Sequence, residues 1–344
     1  MHICHVNLAS GFSGGERQTL QLIKQQLKEG YQLTVIANPN SAFADEIKKL
    51  PCKLLLASHF FMQHKKSITD KCHLIHVHEG RAIYWAYLQS LLFTIPYIVT
   101  RRIDNPLKSK WLSNKAYEKA SALVGLSNAI VEAINSRHSN ATVQKIPSSP
   151  VVYPVNSQKL NDINNKFNNK FMVIQAANLL KHKGHQTSLE AARLLQYNHP
   201  NIHFVLLGDG PEREALEKQA SGLVNVTFVG EQCDMGNWFA AADLLIHPSY
   251  SEGLGSVILE AMAAELPVIA SNVGGIPDII DDGKSGLLIE AGNSLQLAEA
   301  ICQIESSLLL REHLLIGAKN KLSLFDISYT SKLYKDLYLS ISHR

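Results

Sequence analysis

The sequence predicts an α/β protein built from two doubly wound parallel-sheet domains. Short apolar segments alternate with helical patterns, as expected for parallel sheets covered by helices on both faces. The alternation forms two series, and a Pro- and Asn-rich segment with the composition of a linker separates them at residues 147–169. The predicted domains are therefore residues 1–150 and 170–325, joined by a linker at 151–169.

The individual elements follow from local patterns. Short apolar runs bounded by turn residues predict strands, and apolar residues repeating every three to four positions predict helices. Strands are predicted near 2–8, 32–37, 53–57, 73–78, 97–100, 122–126, 143–146, 171–176, 202–207, 225–229, 243–247, 267–271 and 286–289. Helices are predicted at Glu16–Glu29, Ser113–Ala120, Asn128–Ser136, Gln186–Tyr197, Arg213–Ala220 and Ser328–Ser340.

Composition indicates a globular cytoplasmic protein. Of 344 residues, 46% are hydrophobic and 18% are charged, which excludes a disordered chain. Five cysteines without a CxxC pair favour reduced thiols in the cytosol. The opening MHICHVNLA resembles a buried strand and lacks the pattern of a signal peptide. The longest apolar-rich stretch, Tyr87–Val99, has 13 residues and is too short to span a bilayer.

Charge is distributed unevenly along the chain. Residues 1–150 contain 18 Lys and Arg against 9 Asp and Glu, a net charge of +9, whereas the remainder contains 15 against 21, a net charge of −6. Arg101 and Arg102 follow a strand, and Lys108, Lys110 and Trp111 come soon after. A basic first half favours an anionic membrane or an anionic acceptor, unless it is simply a solvated basic face. Nucleic acid is not expected, because no base-reading motif accompanies the charge.

The stretch from Asp243 to Asp278 carries the most information about function. An apolar run ends in a loop with Glu252, Gly253 and Gly255, and a helical pattern containing Glu260 follows. Unpaired N–H groups and the dipole at a helix start attract anions, and glycines let a diphosphate approach the backbone. Carboxylates accept hydrogen bonds from sugar hydroxyls. The pattern therefore suits a polyhydroxylated, phosphorylated ligand at the carboxyl edge of a parallel sheet.

Other motifs are weaker taken alone. The Gly-rich turn Gly11–Glu16 either cradles a phosphate or is structural, and the GxGxxG and GxxxxGK[ST] patterns are absent. His76 and His78 share one strand face, where they line a cleft, fill the core or bind a metal for which no further ligand spacing is seen. Lys183 stands at a strand-to-helix turn that suits a diphosphate. The sequence contains no Asp-x-Asp pair, so Mg²⁺ or Mn²⁺ has no obvious carboxylate ligands.

Taken together, these motifs resemble GT-B-fold glycosyltransferases of the family 4 type (glycosyl transferases group 1). Glu252 and Glu260, with seven residues between them, match the E-x7-E motif of that family. The flanking PSYSEGLGSVILEAMA, PVIAS and GGIPD are also similar. Further similarity lies in GGE at 14–16, HVHE at 76–79, LLKHKGH at 179–185, LLGDGPERE at 206–214 and VTFVGE at 226–231. The resemblance is strong over residues 170–290 and weaker over the first 150.

The resemblance implies two Rossmann-like domains facing a cleft, with a final helix at about 326–344 returning to the first domain. It implies that the first domain binds the acceptor and the second a nucleotide-sugar. Glu260 would hold the ribose, Glu252 the donor sugar, and Lys183 the diphosphate. The remaining donor-binding residues would be Gly14, Gly15, Asn178, Gly230, Gly253, Leu254, Gly255 and Ser256. His78 would contact the transferred sugar, and Glu16, Arg101 and Arg102 are candidates on the acceptor side.

The function expected from the resemblance is retaining, metal-independent transfer of a sugar, without a cofactor. The donor would be a UDP-, GDP- or ADP-sugar, and the acceptor a glycan or glycolipid of lipopolysaccharide core or surface polysaccharide. We expect a cytoplasmic protein at the inner face of the cytoplasmic membrane. The sequence departs from the family pattern at Asn178, where the family commonly has Arg. Phosphate binding then depends on Lys183 and backbone groups, or the enzyme is weakened. Alternatives are a sugar-nucleotide epimerase of the same fold and a non-catalytic binding subunit.

Overall fold

The computed structural model describes residues 1–102 and 111–342, so Lys108 and Lys110 lie outside the described residues. The chain divides into two compact units. Unit 1 comprises Met1–Val151 and the chain from Phe325 onward, and unit 2 comprises Val152–Leu324. Within the described ranges, no helix combines the length and the apolar character needed to cross a membrane.

Unit 1 is a parallel sheet with helices packed against it. The strand order is β3-β2-β1-β4-β5-β6-β7, and every pairing between these strands is parallel. The strands are β1 (His2–Asn7), β2 (Gln32–Ala37), β3 (Lys53–Leu56), β4 (Leu74–Val77), β5 (Tyr97–Arg101), β6 (Ala122–Gly125) and β7 (Val143–Lys145). The helices are α1 (Gly14–Lys28), α2 (Ala42–Lys48), α3 (Lys66–Thr69), α4 (Ala82–Phe93), α5 (Trp111–Glu118) and α6 (Asn128–Asn135).

Unit 2 repeats this design with six parallel strands in the order β10-β9-β8-β11-β12-β13. The strands are β8 (Phe171–Ala176), β9 (Ile202–Leu207), β10 (Val226–Gly230), β11 (Leu244–His247), β12 (Val268–Ser271) and β13 (Leu287–Ile289). The helices are α7 (Ser157–Lys166), α8 (His185–Leu195), α9 (Arg213–Gln219), α10 (Met235–Ala241), α11 (Ser256–Ala263), α12 (Ile276–Ile279), α13 (Ser294–Ser306) and α14 (Leu308–Leu322). The prediction of two doubly wound parallel-sheet domains is confirmed.

The last helix, α15 (Ile327–Ser342), packs on the helix layer of unit 1. Its residues Tyr334 and Tyr338 are buried in the core of that unit. Polar contacts fix the same face, because Ser331 Oγ donates to Glu29 at 2.8 Å and Thr330 Oγ1 donates to the Pro147 carbonyl at 3.1 Å. The amphipathic pattern of this helix therefore reflects packing within unit 1.

The Asn-rich segment, expected to be a linker, forms helix α7 and packs against α10 within unit 2. The side chain of Asn156 caps this helix by accepting a hydrogen bond from the Lys159 N–H at 3.1 Å. Ile163 and Phe167 are buried. A cap and two buried apolar side chains thus outweigh the low helix propensity of asparagine.

Candidate active site

The centre of the candidate site in unit 2 is the carboxylate of Glu252, in the loop between β11 and α11. Its Oε2 accepts hydrogen bonds from Lys183 Nζ at 2.6 Å and from His247 Nε2 at 2.7 Å. Ser249 Oγ lies 3.1 Å from the same His247 nitrogen. The Glu252 side chain is 15% exposed and that of Lys183 is 19% exposed. Both of these contacts use the same carboxylate oxygen, Oε2.

The surroundings of Glu252 keep its carboxyl ionised. Burial would raise its pKa, but the hydrogen bond from His247 and the charges of His247 and Lys183 outweigh burial and lower the pKa to about 2. The pKa of the neighbouring His185 is lowered to about 4, chiefly by burial and then by His247 and Lys183. The site therefore presents a fixed anion beside a cation at neutral pH.

Close backbone contacts at two glycines hold the loops of this site together. At Gly184, φ is +71°, and a Cβ would lie 1.8 Å from the Pro248 carbonyl oxygen. At Gly274, φ is +56°, and a Cβ would lie 1.9 Å from the Glu252 carbonyl oxygen. The Gly275 N–H donates to that Glu252 oxygen at 2.9 Å. Only glycine fits either position without strain, so these residues fix where Lys183 and Glu252 meet.

Helix α11 supplies the anion-binding end of the site. Gly255 is its N-cap with φ of +90°, and Ser256 is its first residue. Its free N–H groups and its dipole favour an anionic group at this end. Farther along the helix, Glu260 is buried and its Oε2 accepts a hydrogen bond from the Tyr153 hydroxyl at 3.3 Å. Gly253 and Leu254 lie in the loop that leads from Glu252 into this helix.

Asn178 and Gly230, also expected to bind the donor, lie at the carboxyl ends of strands of the same sheet. Asn178 is exposed in the loop after β8, and Gly230 ends β10 with φ of +74°. Among the described residues, neither has a hydrogen bond to Lys183 or Glu252. The structure thus brings Lys183 and Glu252 into contact, and it places Asn178 in a loop and Gly230 at a strand end of the same sheet.

The unit 1 candidates gather at the start of α1 and the carboxyl ends of β4 and β5. Gly14 and Gly15 open α1 after the N-cap Ser13. Glu16 Oε2 accepts hydrogen bonds from the Ser13 N–H at 3.0 Å and the Ser13 hydroxyl at 2.8 Å, so Glu16 has a capping role. A Cβ on Gly15 would lie 3.2 Å from Arg102 Cδ.

Arg101 and Arg102 have different surroundings. Arg101 is buried at the end of β5 and hydrogen-bonds Tyr117. Arg102 is partly exposed, and its Nη1 donates to Gln18 at 2.8 Å and to Ser148 at 3.1 Å, while Nη2 donates to Thr19 at 3.1 Å. Burial lowers the pKa of the Arg102 guanidinium. These three acceptors are neutral oxygens, which leaves this cation suited to an anionic ligand.

His78 is 2% exposed and lies among two further histidines, His5 and His76. Its Nε2 is 2.8 Å from His5 Nδ1, and its Nδ1 is 3.4 Å from Arg102 Nη2. Burial, then the other histidines and Arg102, lowers the pKa of His78 well below its usual range. One ring nitrogen from each of the three histidines lies within 4.8 Å of the others. The expected sugar contact of His78 stays a prediction.

Comparison with known proteins identifies the domain that holds Glu252. Residues 156–321 match the family model described as glycosyl transferases group 1. The chain carries a group 1 glycosyltransferase domain. The predicted resemblance to glycosyltransferases is thereby confirmed, whereas the family 4 subtype stays a prediction.

Two relatives match parts of the chain. Sulfoquinovosyl transferase SQD2 of Arabidopsis thaliana is 40% identical over 116 residues, 32% of this chain and 22% of that protein. The lipopolysaccharide core biosynthesis glycosyltransferase LpsE of Rhizobium meliloti (strain 1021) is 36% identical over 146 residues, 42% of this chain and 42% of that protein. The matched part of the chain spans less than half the length of both relatives.

A likeness over the whole chain comes from solved structures. Anabaena Alr3699/HepE, crystallised with UDP and glucose, superposes with a TM-score of 0.83 at 20% identity and covers 99% of this chain and 100% of its own. Identity this low shows the fold alone. It confirms the GT-B fold class that the sequence predicts.

Sequence reasoning missed several residues of the group 1 domain site. The sequence places His247 at the end of a predicted strand, and the structure shows that it also hydrogen-bonds Glu252. Gly184 and Tyr153 also received no role. The spacing of His247, five residues before Glu252 at the end of a parallel strand, was the signal that could have found it.

Proposed function

We propose that this chain is a retaining, metal-independent glycosyltransferase that moves a sugar from a nucleotide-sugar to a glycan or lipid-linked acceptor. The observation that carries the proposal is the ionised Glu252 in contact with Lys183, beside the N-terminus of α11 in a group 1 domain. An acceptor in lipopolysaccharide core or surface polysaccharide is supported by the likeness to LpsE.

The residues of the site have distinct proposed roles. Oε1 of Glu252 accepts a hydrogen bond from a hydroxyl of the donor sugar, and Glu260 accepts one from the ribose. The ammonium of Lys183 and the N–H groups at the start of α11 offset the charge that develops on the departing diphosphate. With Asn178 where an Arg is common, diphosphate binding rests on these groups. They also supply the positive charge that a divalent metal would otherwise provide.

In the proposed reaction, the acceptor oxygen bonds to the anomeric carbon of the sugar on the face from which the diphosphate leaves. The bond between that carbon and the diphosphate oxygen breaks, and its electron pair stays on the diphosphate. The acceptor proton passes to an oxygen of the departing phosphate. Attack and departure on one face retain the configuration at the anomeric carbon.

Ligand-dependent stabilisation tests donor binding. We expect one of UDP-, GDP-, ADP- or CMP-sugars to raise the melting temperature, since a ligand at 100 times its dissociation constant stabilises the native state by about 2.7 kcal/mol. For a cooperative unit the size of unit 2, Val152–Leu324, that corresponds to a shift of roughly 5–10 °C. Failure of all four classes to shift the melting temperature would contradict the proposal.

Product analysis then separates the three function classes. A transferase releases nucleoside diphosphate only when an acceptor is present. An epimerase converts the nucleotide-sugar without any acceptor. Binding of the donor with no turnover across a broad acceptor panel would instead favour a non-catalytic subunit, which Asn178 keeps as an alternative.

Unit 1 also presents a surface that suits a lipid-linked acceptor at an anionic membrane. Helix α4 has an outward apolar stripe at i, i+3/i+4 and i+7/i+8 spacing, formed by Tyr84, Tyr87, Leu88, Leu91 and Leu92. The Phe60 ring lies 5.3 Å from that of Tyr84 and 4.2 Å from that of Phe61, which is exposed. Lys65, Lys66 and Arg81 are exposed on the adjoining chain.

A solvent-exposed apolar stripe beside basic side chains is typical of an interfacial membrane surface. The charges favour anionic headgroups, and the leucine and aromatic side chains favour the boundary of the acyl chains. We therefore propose that the α4 stripe contacts the inner face of the cytoplasmic membrane.

Vesicle sedimentation tests this contact. We expect binding to vesicles containing about 30% phosphatidylglycerol, weaker binding to phosphatidylcholine alone, and a loss of binding at high salt because exposed charges are screened. The double change of Leu91→Ser and Leu92→Ser should reduce binding about 100-fold or more, since the two leucines together lose about 3–6 kcal/mol of burial. The control is Leu308→Ser with Leu309→Ser, two leucines of unit 2 that are at least as exposed. Equal loss in both variants would contradict the role of the α4 stripe.

A further inference from the structure

A continuous chain of buried hydrogen bonds runs from Arg102 through the core of unit 1 to the C-terminal helix α15. Every link joins two side chains, and most links are 2.7–2.8 Å long. The longer links are the first, at 3.4 Å, and the one between the Gln26 amide and Tyr338, at 3.2 Å. In order, the members are Arg102, His78, His5, Gln26, Tyr338, His76 and Thr100.

Arg102 sets the direction of this chain, because a guanidinium can donate hydrogen bonds but cannot accept them. The Nδ1 of His78 faces Arg102 Nη2 and must therefore carry a lone pair. His78 is neutral, since burial, followed by the other two histidines and Arg102, lowers its pKa well below its usual range. Its single ring proton is therefore on Nε2, which donates to His5 Nδ1 at 2.8 Å.

Each following link is then determined by the one before it. His5 accepts at Nδ1, so its proton is on Nε2 and donates to the Gln26 carbonyl oxygen at 2.8 Å. The Gln26 amide nitrogen donates to the Tyr338 oxygen at 3.2 Å. The Tyr338 hydroxyl is then left to donate to His76 Nδ1 at 2.7 Å. Finally, His76 Nε2 donates to Thr100 Oγ1 at 2.7 Å.

The three histidines lie close enough together to hold a metal ion. The series of hydrogen bonds gives them a different role. His5 and His78 use one nitrogen each in the bond between them, and both nitrogens of His76 have partners. A metal ion would have to displace several of these bonds at once. The direction set by Arg102 accounts for every ring nitrogen of the cluster without one.

We propose that Tyr338 is a positioning residue that holds His78 and Arg102 in place through Gln26 and His5. The proposal deepens the proposed function, because Arg102 is one of its candidate residues on the acceptor side and His78 faces Arg102. Nδ1 of His78 is fixed as a hydrogen-bond acceptor, so the Arg102 guanidinium has four neutral hydrogen-bond partners. Its positive charge therefore remains available to an anionic group of the acceptor substrate. Helix α15 thus contributes to the site through a residue that does not itself reach a ligand.

The charged and titratable groups around the chain are few. Helix α15 contributes Tyr334, whose hydroxyl lies 2.9 Å from Thr100 Oγ1, and α1 contributes Glu16, whose charge acts on Arg102. Tyr31, just before β2, acts on Tyr338. The three histidines lie on β1, in β4 and directly after β4. Burial lowers the pKa of His5 to about 4 and the pKa values of His76 and His78 well below their usual range. All three histidines are therefore neutral near neutral pH.

Nitrogen NMR of histidine-labelled protein tests the assignment without any activity. We expect His5, His76 and His78 to be neutral from about pH 5.5 to 8, with the single ring proton on Nε2 in all three. An ordinary histidine, with a pKa near 6.5, would be mostly protonated at the lower end of this range. The Gln26→Glu variant is the sharpest probe, because a carboxylate accepts from both His5 and Tyr338. The Tyr338 hydroxyl then no longer donates to His76, whose proton should move to Nδ1.

The pair Tyr338→Phe and Tyr334→Phe tests which tyrosine of α15 matters. The first removes the link to Gln26 and should shift the His5 resonances. The second removes a hydroxyl that bonds Thr100 and lies near Arg102, and it should leave His5 unchanged. A proton on His78 Nδ1, or equal effects of the two variants on His5, would overturn the proposal. Once a transfer assay exists, Tyr338→Phe should raise the KM for the acceptor severalfold and leave that for the nucleotide-sugar unchanged. An unchanged KM for the acceptor would mean that this series of hydrogen bonds has only a structural role.

Discussion

Replacing Glu252 with Gln is expected to lower sugar transfer at least about 100-fold, equivalent to about 2.7 kcal/mol of transition-state stabilisation. Glutamine keeps the size of the side chain but removes the negative charge that faces Lys183 and His247. Lys183 then loses its orienting partner. The measurement is release of nucleoside diphosphate at saturating donor and acceptor.

The matched control for this prediction is Glu265→Gln, which removes an exposed carboxylate just after α11. It should retain turnover within about twofold of the wild type, as expected for a surface change. Binding of the nucleotide-sugar to the Glu252 variant is measured by the shift in melting temperature. If binding persists, the variant has lost the transfer step and not the donor-binding site. Turnover of the Glu252 variant close to that of the control would show that the assigned role is wrong.

The same variant should change the dependence of stability on pH. Because the folded state lowers the pKa of Glu252 to about 2, the ionised carboxylate stabilises the protein fully above its ordinary pKa, near 4.3. That contribution is lost as the pH falls towards 2. Unfolding in urea between about pH 5 and 3 should therefore show a smaller loss of stability for Glu252→Gln than for the wild type. Parallel losses would contradict the lowered pKa.

The strands of both sheets could be predicted from sequence, because each is a short apolar run that depends little on distant residues. All thirteen predicted strands match β1–β13 to within one or two residues at their ends. Helix α7 could not be predicted this way. Its asparagines disfavour a helix, and besides its Asn156 cap it is stabilised by packing on α10, whose residues lie about 70 positions away.

The candidate site could be predicted only in part, for a similar reason. Strand ends at one sheet edge meet, so the proximity of Lys183 to Glu252 was foreseeable from two strand-loop patterns. The particular atoms that meet could not be predicted, because their positions depend on the close contacts at Gly184 and Gly274. The histidine chain depends on the pairing of β1 with β4, which sets His5 beside His76, and on the return of α15. No local pattern encodes either contact.

Replacing Gly274 with Ala is expected to be among the most destabilising single changes in unit 2. Its φ of +56° costs an L-residue about 1–2 kcal/mol. The added Cβ would also lie 1.9 Å from the Glu252 carbonyl oxygen, and that oxygen is held by the Gly275 N–H. Since backbone must shift to relieve the contact, we expect a total loss of about 3 kcal/mol or more.

The control for the backbone cost alone is Gly283→Ala, because Gly283 has a similar φ of +69° and no atom within 4 Å of its added Cβ. It should lower the melting temperature by about 2–4 °C, whereas Gly274→Ala should lower it by about 8 °C or more. Equal shifts would mean that the contact with Glu252 costs nothing. A larger shift for Gly274→Ala, accompanied by loss of nucleotide-sugar binding, would show that this glycine sets the position of Glu252, because Gly283→Ala leaves the loop between β11 and α11 untouched.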